Sequence, residues 1–206
     1  MNTLPFYTVP QFAQVRQAQG SRRARARLLA AMCRVNALSA IMAAGSGHPG
    51  SSLSAMDLMC WLFFERMHRP GRDPLKPERD VFLSSKGHDA PALYAVLCGL
   101  GLMDAASLAR LRRLGGPEGH PDLSVPGVEA VSGSLGMGLS KARGMALAKQ
   151  MRGQGDNVYV LLGDGELQEG QNAEAMRAAV VDGLENLYAV VDHNAVQSDR
   201  LVRDTM

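Results

Sequence analysis

Several things are scarce in this sequence, and each scarcity argues against a class of protein. The three cysteines, Cys33, Cys60 and Cys98, form no CxxC pair and are odd in number, which argues against a disulfide framework and a structural zinc site. A reducing compartment is the natural expectation. Aromatic residues make up only 5% of the chain and the formal net charge is +2, so the electrostatic and stacking footprint of a nucleic-acid binder is missing. No apolar run approaches the roughly 18 residues that span a bilayer, and the N-terminus lacks the apolar core of a signal peptide. A soluble, cytoplasmic protein without membrane or nucleic-acid partners is expected.

Acid is absent from the first 56 residues, which carry six arginines, five of them between Arg16 and Arg27. Such a run ordinarily makes a solvated helix face. A transit peptide would be arginine-rich too, but this segment has little serine.

What is present is ordinary globular composition, 46% hydrophobic and 20% charged over 206 residues, enough chain for one domain with a genuine core. Residues 1–20, rich in glutamine with two prolines, look like an extended arm before one domain over 21–206. The spacing of Leu28, Met32 or Cys33, Val35, Leu38 and Met42 predicts one apolar face on a helix from Ser21 to about Ala44. The loop Gly45-Ser-Gly-His-Pro-Gly50 should end it, and a second helix is expected over 54–67. The prolines Pro70, Pro74 and Pro77 mark an irregular connection. Asp80 to Leu83 reads as a short buried strand, with a helix capped near Asp89 and another from Asp104 to Leu114. After the turn Ser132-Gly-Ser-Leu-Gly136, helical spacing returns from Leu135 to Met151. Asn157 to Leu162 and Leu187 to Val191 are near-continuous apolar runs with a helix between them. This is the pattern of a βαβ unit in a parallel sheet covered on both faces, where ligands sit beyond the carboxyl ends of the strands.

Two groups of residues could carry chemistry. Gly163-Asp-Gly165-Glu-Leu-Gln-Glu-Gly170 lies between a buried strand and a helix start, where free N–H groups attract phosphate. It matches neither the dinucleotide fingerprint, which fails at Gln168, nor the P-loop, which fails at Gln171. A metal could replace the missing lysine, since Asp164 and Asn194 end neighbouring strands and offer hard oxygen ligands suited to Mg²⁺. The same two residues could instead simply cap turns. Three histidines each follow a loop glycine, as Gly47-His48, Gly87-His88 and Gly119-His120. They could line a polar pocket, although any one of them alone could be an ordinary loop histidine.

In their order these motifs resemble the N-terminal, diphosphate-binding half of transketolases: Ser46-Gly-His-Pro-Gly50, Lys86-Gly-His88, Glu118-Gly-His-Pro121, Gly133-Ser-Leu-Gly136, Gly163-Asp-Gly165 and Asp192-His-Asn194. The likeness runs over about residues 25–200, and its most specific element is Gly-Asp-Gly with an Asn 30 positions after the Asp. The resemblance implies an α/β fold, an open parallel sheet with helices on both faces that binds thiamine diphosphate. It implies Mg²⁺ ligation by Asp164, Asn194 and the carbonyl of Val196, with Gly163 and Gly165 against the diphosphate. It implies that His48, His88 and His120 surround the thiazolium and bond sugar hydroxyls or the diphosphate, and that Gly133 and Leu135 contact the aminopyrimidine. Glu169 would link two active sites through a dimer interface.

The implied reaction is transfer of a two-carbon ketol unit between sugar phosphates, with the carbanion chemistry supplied by the cofactor. Ser134 stands where the family often has proline. The chain stops at Met206, so the diphosphate module looks C-terminally incomplete and the pyrimidine module is absent. A C-terminal transketolase subunit or pyrimidine-module partner, in a homo- or hetero-oligomer, is therefore expected. The alternatives are a 2-oxo-acid dehydrogenase component of the E1 type, against which the Lys86 and Glu118 loops count, and a non-catalytic remnant of the fold.

Overall fold

A computed structural model describes residues 5–68, 70, 78–197 and 200–205. The chain divides into two compact units, each assembled from two stretches: Met1–Met67 with His88–Val128, and His68–Gly87 with Glu129–Met206.

The first unit is helical. The arm expected over 1–20 is helical within its described residues: α1 spans Val9–Gln17, opened by Thr8, whose backbone N–H and hydroxyl both donate to Gln11 Oε1, and it buries Phe12 completely. The helix α2, Arg22–Ala44, starts where Ser21 accepts the N–H of Ala24 and stops at Gly45 in the left-handed region, a conformation that favours glycine. Its buried face matches the expected one in part. Met32 and Cys33 are buried as expected, but Leu28 and Met42 are exposed, while Leu29, Ala30, Ala37 and Ala40 are fully buried. By length and composition α2 could cross a membrane, with an 18-residue window of mean hydropathy 1.3, which corrects the reading that no stretch qualifies. Half of that window is buried inside the protein.

The loop after α2 is shorter than expected, because Pro49 opens a helix instead of blocking one. Proline is at home in a first helical turn, where its missing N–H costs nothing. That helix, α3 (Pro49–Ser54), ends where the next was expected to begin, and the single helix expected over 54–67 is two pieces, α4 (Met56–Trp61) and a π-helical turn over Leu62–Arg66. The connection expected around Pro74 and Pro77 lies outside the described residues. The helix α5, Ala90–Leu100, is buried along nearly its whole length and packs on α2. Asp89 precedes it but makes no side-chain cap. Asp104 does cap α6 by accepting the N–H of Ser107, yet α6 ends at Leu108 rather than Leu114. Beyond it Arg112 takes a left-handed φ of 57° and donates its N–H to Pro117, so the chain turns away.

The second unit carries the sheet. Strands β1 (Val81–Ser84), β2 (Val158–Gly163) and β3 (Leu187–Asp192) are parallel in the order β1-β2-β3. Val81, Leu83, Val158, Val160 and Leu162 point to one face, where they form a core with Leu139, Ala142, Ala146 and Ala175 from α7 (Met137–Met151) and α8 (Gly170–Val181). Asp80, itself buried, ties the entries of β1 and β2 by accepting N–H groups of His68 and Asn157. The expectation that β3 is buried like β2 does not hold: Tyr188 is 41% and Val191 38% exposed. The physical reason is position, since β3 pairs with β2 on one edge only among the described residues. A short hairpin of β4 (Val196–Gln197) and β5 (Arg200–Leu201) follows.

Candidate functional site

In the helical unit the three loop histidines meet. His48, at the residue before Pro49, and the half-buried His88 have ring centroids 5.3 Å apart in an edge-to-face arrangement. Tyr94 of α5 donates its hydroxyl to the carbonyl of His120 at 2.8 Å. Burial, then the charges of Arg112 and His48, push the His120 pKa down. No sequence pattern singles out Arg112. Its guanidinium occupies the space a side chain at Gly119 would need, with Nε only 2.5 Å from a Cβ there.

In the sheet unit the strand ends carry the other group. The parallel register sets Gly163 opposite Asp192. Asp164, buried, accepts the N–H of Gly165 at 2.8 Å on one oxygen and that of Ala195 at 2.7 Å on the other. The loops after β2 and β3 are thereby tied together, and Asp164 and Asn194 stand at adjacent strand ends. Asn194 donates to Asp192 at 3.3 Å through Nδ2 and accepts the N–H of Val196 at 3.0 Å through Oδ1. Its oxygen and nitrogen are thus assigned opposite directions. Gly165 packs so closely that a Cβ there would lie 2.7 Å from Gln197.

This loop has no lysine of its own, as expected, but one from another segment lies beside it. Lys86, 1% exposed at the end of β1, pairs with Asp192 at 2.5 Å, and its Cδ lies 3.7 Å from where a Cβ on Gly163 would be. Counting along the sequence looks for a lysine after the loop, as in a P-loop, and misses one supplied by the neighbouring strand. Among the described residues no group of three or more His, Cys, Asp or Glu side chains could hold a metal. A site here would need the donor set of one carboxylate, one amide oxygen and a backbone carbonyl, which are hard oxygen ligands of the kind Mg²⁺ takes alongside phosphate oxygens.

Gly133 and Leu135 lie on the exposed loop before α7, while Gly136, at its end, is buried. Glu169 is exposed at the start of α8, its Cβ 2.6 Å from where Gly136 would carry one. Glu166, which in the sequence is only a spacer between Gly165 and Gly170, is 3% exposed.

Residues 25–206 match the family described as transketolase, thiamine diphosphate binding domain. The chain belongs to that family. It is 44% identical to human transketolase over 169 residues, 81% of this chain and 27% of the human protein. It is 38% identical to one subunit of the apulose-4-phosphate transketolase of Phocaeicola vulgatus, covering 79% of this chain and 58% of that relative. Among solved structures, transketolase from Campylobacter jejuni superposes with a TM-score of 0.82 at 30% identity, over 91% of this chain and 31% of that one. The transketolase of Leishmania mexicana gives 0.82 at 30%, over 92% and 30%. The fold is therefore the α/β, parallel-sheet fold of the thiamine diphosphate binding domain, and the chain spans under a third of the whole transketolases it matches.

Proposed function

We propose that this chain binds thiamine diphosphate through Mg²⁺ and serves as the diphosphate half of a transketolase-type transferase moving a two-carbon ketol unit between sugar phosphates. The observation that carries the reading is the Asp164 carboxylate, which ties the two loops so that Asp164, Asn194 and the Val196 carbonyl are offered at adjacent strand ends. When bound, the cofactor would supply the carbanion chemistry by which a ketose C2–C3 bond is broken. The protein's part is to hold and orient. Asp164, Asn194 and the Val196 carbonyl would hold the cation, with Gly163 and Gly165 allowing close backbone approach to the diphosphate. Lys86, by neutralising Asp192, leaves Asn194 Nδ2 a fixed acceptor partner, so that Oδ1, which already accepts the N–H of Val196, would be the amide atom that meets the metal.

His48, His88 and His120 would donate to or accept from substrate hydroxyls and the diphosphate. With its pKa pushed down, His120 is neutral near pH 7 and can do either. Gly133 and Leu135 would bear on the aminopyrimidine, and Glu169 would face a partner's active site. A pyrimidine module supplied by a further segment or by a partner subunit completes this reading. Its support is the Phocaeicola relative, which is named as one subunit of its transketolase and of which this chain covers 58%.

The test is calorimetric titration of thiamine diphosphate in the presence of Mg²⁺, beside a thermal melt. Asp164→Ala is expected to cut affinity at least 100-fold, with a loss of about 1 kcal/mol in stability for a turn-capping carboxylate. Unchanged affinity with the same loss of stability would leave Asp164 a turn residue and remove the metal site.

A further inference from the structure

The buried Glu166 carboxylate joins three segments of the sheet unit that the sequence keeps far apart. One oxygen, Oε1, accepts the hydroxyl of Ser85, at the end of β1, and the N–H of Gly136 at 2.8 Å. The other, Oε2, accepts the N–H of Gly163 at 3.0 Å. Ser85 Oγ in turn accepts the N–H of Gly138 at 3.1 Å, which obliges the hydroxyl to donate its own proton to Glu166. The backbone carbonyl of Glu166 accepts from Asn172 of α8 at 2.7 Å. All donors therefore converge on a group that must be an acceptor at both oxygens, which a carboxylate is and an amide is not.

The surrounding packing leaves little slack. A Cβ on Gly138 would lie 2.4 Å from Ser85, and one on Gly87 would lie 2.7 Å from Ser132 Oγ and 2.8 Å from the Gly133 nitrogen. The segment 132–138 is thus held both by contact and by the carboxylate.

We propose that Glu166 is a positioning residue that sets the loop bearing Gly133 and Leu135 against the loop bearing Asp164 and Gly165, and so matches the protein to the length of a two-part cofactor. The inference rests on the proposed cofactor reading. Asp164 and Asn194 serve the diphosphate end and the 133–135 loop serves the pyrimidine end. Glu166 accepts from Gly136, one residue beyond that loop, and from Gly163, at the diphosphate end itself, and so fixes the spacing of the two ends from between them.

Glu166→Gln tests this with almost no change of shape. Glutamine has one acceptor oxygen, so either Gly163 or the pair Gly136 and Ser85 must face an N–H donor. In the unliganded full chain, amide exchange followed by NMR should quicken at least tenfold at Gly136 or Gly163, with the β2 amides of Val160 and Leu161 unchanged. With Mg²⁺ present, thiamine diphosphate affinity should fall at least tenfold, while affinity for inorganic pyrophosphate, which lacks the pyrimidine end, should move less than twofold. If the glutamine variant folds poorly, Ser85→Ala, a smaller lesion, removes the acceptor of the Gly138 N–H and one donor to Glu166, and should quicken exchange at Gly138 while Val160 and Leu161 stay unchanged. Unchanged exchange at Gly136 and Gly163 overturns the clamp, and an equal fall for both ligands overturns the positioning role. Wild-type chain that binds neither ligand, alone or with a pyrimidine module supplied, overturns the cofactor reading itself. Wild-type chain that binds both, beside a glutamine variant that binds both equally well, overturns only the role of Glu166.

Discussion

His120 shows how a residue legible in the sequence acquires its chemistry from residues that are not. Burial and the charges of Arg112 and His48 lower its pKa, so its folded value lies below the ordinary value of about 6.5. A depressed value means that the associated stability is complete above the unfolded value and is lost as pH falls through the folded one. Arg112→Met removes the largest charged contributor, and the His120 titration followed by NMR should move up toward the ordinary value. A curve that stays put would assign the shift to burial and the charge of His48. The Gly-His pattern points to all three histidines, but Arg112 acts through a left-handed turn closed by Pro117, which no local pattern announces. Glu166 is hidden for a related reason, since its three donors come from residues 85, 136 and 163 and only the fold gathers them.

At the scale of elements, boundaries are more legible than faces. Ser21 and Gly45 mark the ends of α2 because capping is local chemistry. Its buried face is only in part the one that periodicity traces through large apolar residues, because small side chains, Ala30, Cys33, Ala37 and Ala40, fill much of it, and Cys33 meets the Ala95 carbonyl of α5. The same contrast of local and tertiary effects can be measured on α7, which contains two glycines. Gly144 is exposed and a Cβ there meets nothing within 4 Å, while one on Gly138 would lie 2.4 Å from Ser85. Helix propensity alone favours alanine at both. Gly144→Ala should therefore raise stability by about 0.5–1 kcal/mol. Gly138→Ala should lower it by about 1–3 kcal/mol through overpacking. Denaturant melts of the two variants decide, and a stabilising Gly138→Ala would show that Ser85 can yield.

For the chain as a whole, the apolar surface of the sheet unit bears on its state of association. Val180 is 81% and Val181 86% exposed at the end of α8, with Met176 on the same helix and Tyr188 and Val191 on β3 partly exposed. The outer edge of β3 has no paired strand among the described residues, and an unpaired edge beside exposed apolar side chains is a template for association. The β2 strand is legible because it is buried throughout. The state of β3 is not, because an apolar run reads alike whether or not anything covers it. Obligate interfaces bury about 2,000 Å² or more, so a chain that presents such a surface uncovered should self-associate at micromolar concentration in sedimentation velocity. The double variant Val180→Lys with Val181→Lys should shift it toward monomer with little change in melting temperature, because both side chains are already exposed and lysine suits the C-terminal end of a helix. A wild-type chain that sediments as a stable monomer would mean that this surface is tolerated by solvent, and association unchanged by the two lysines would place the contact elsewhere.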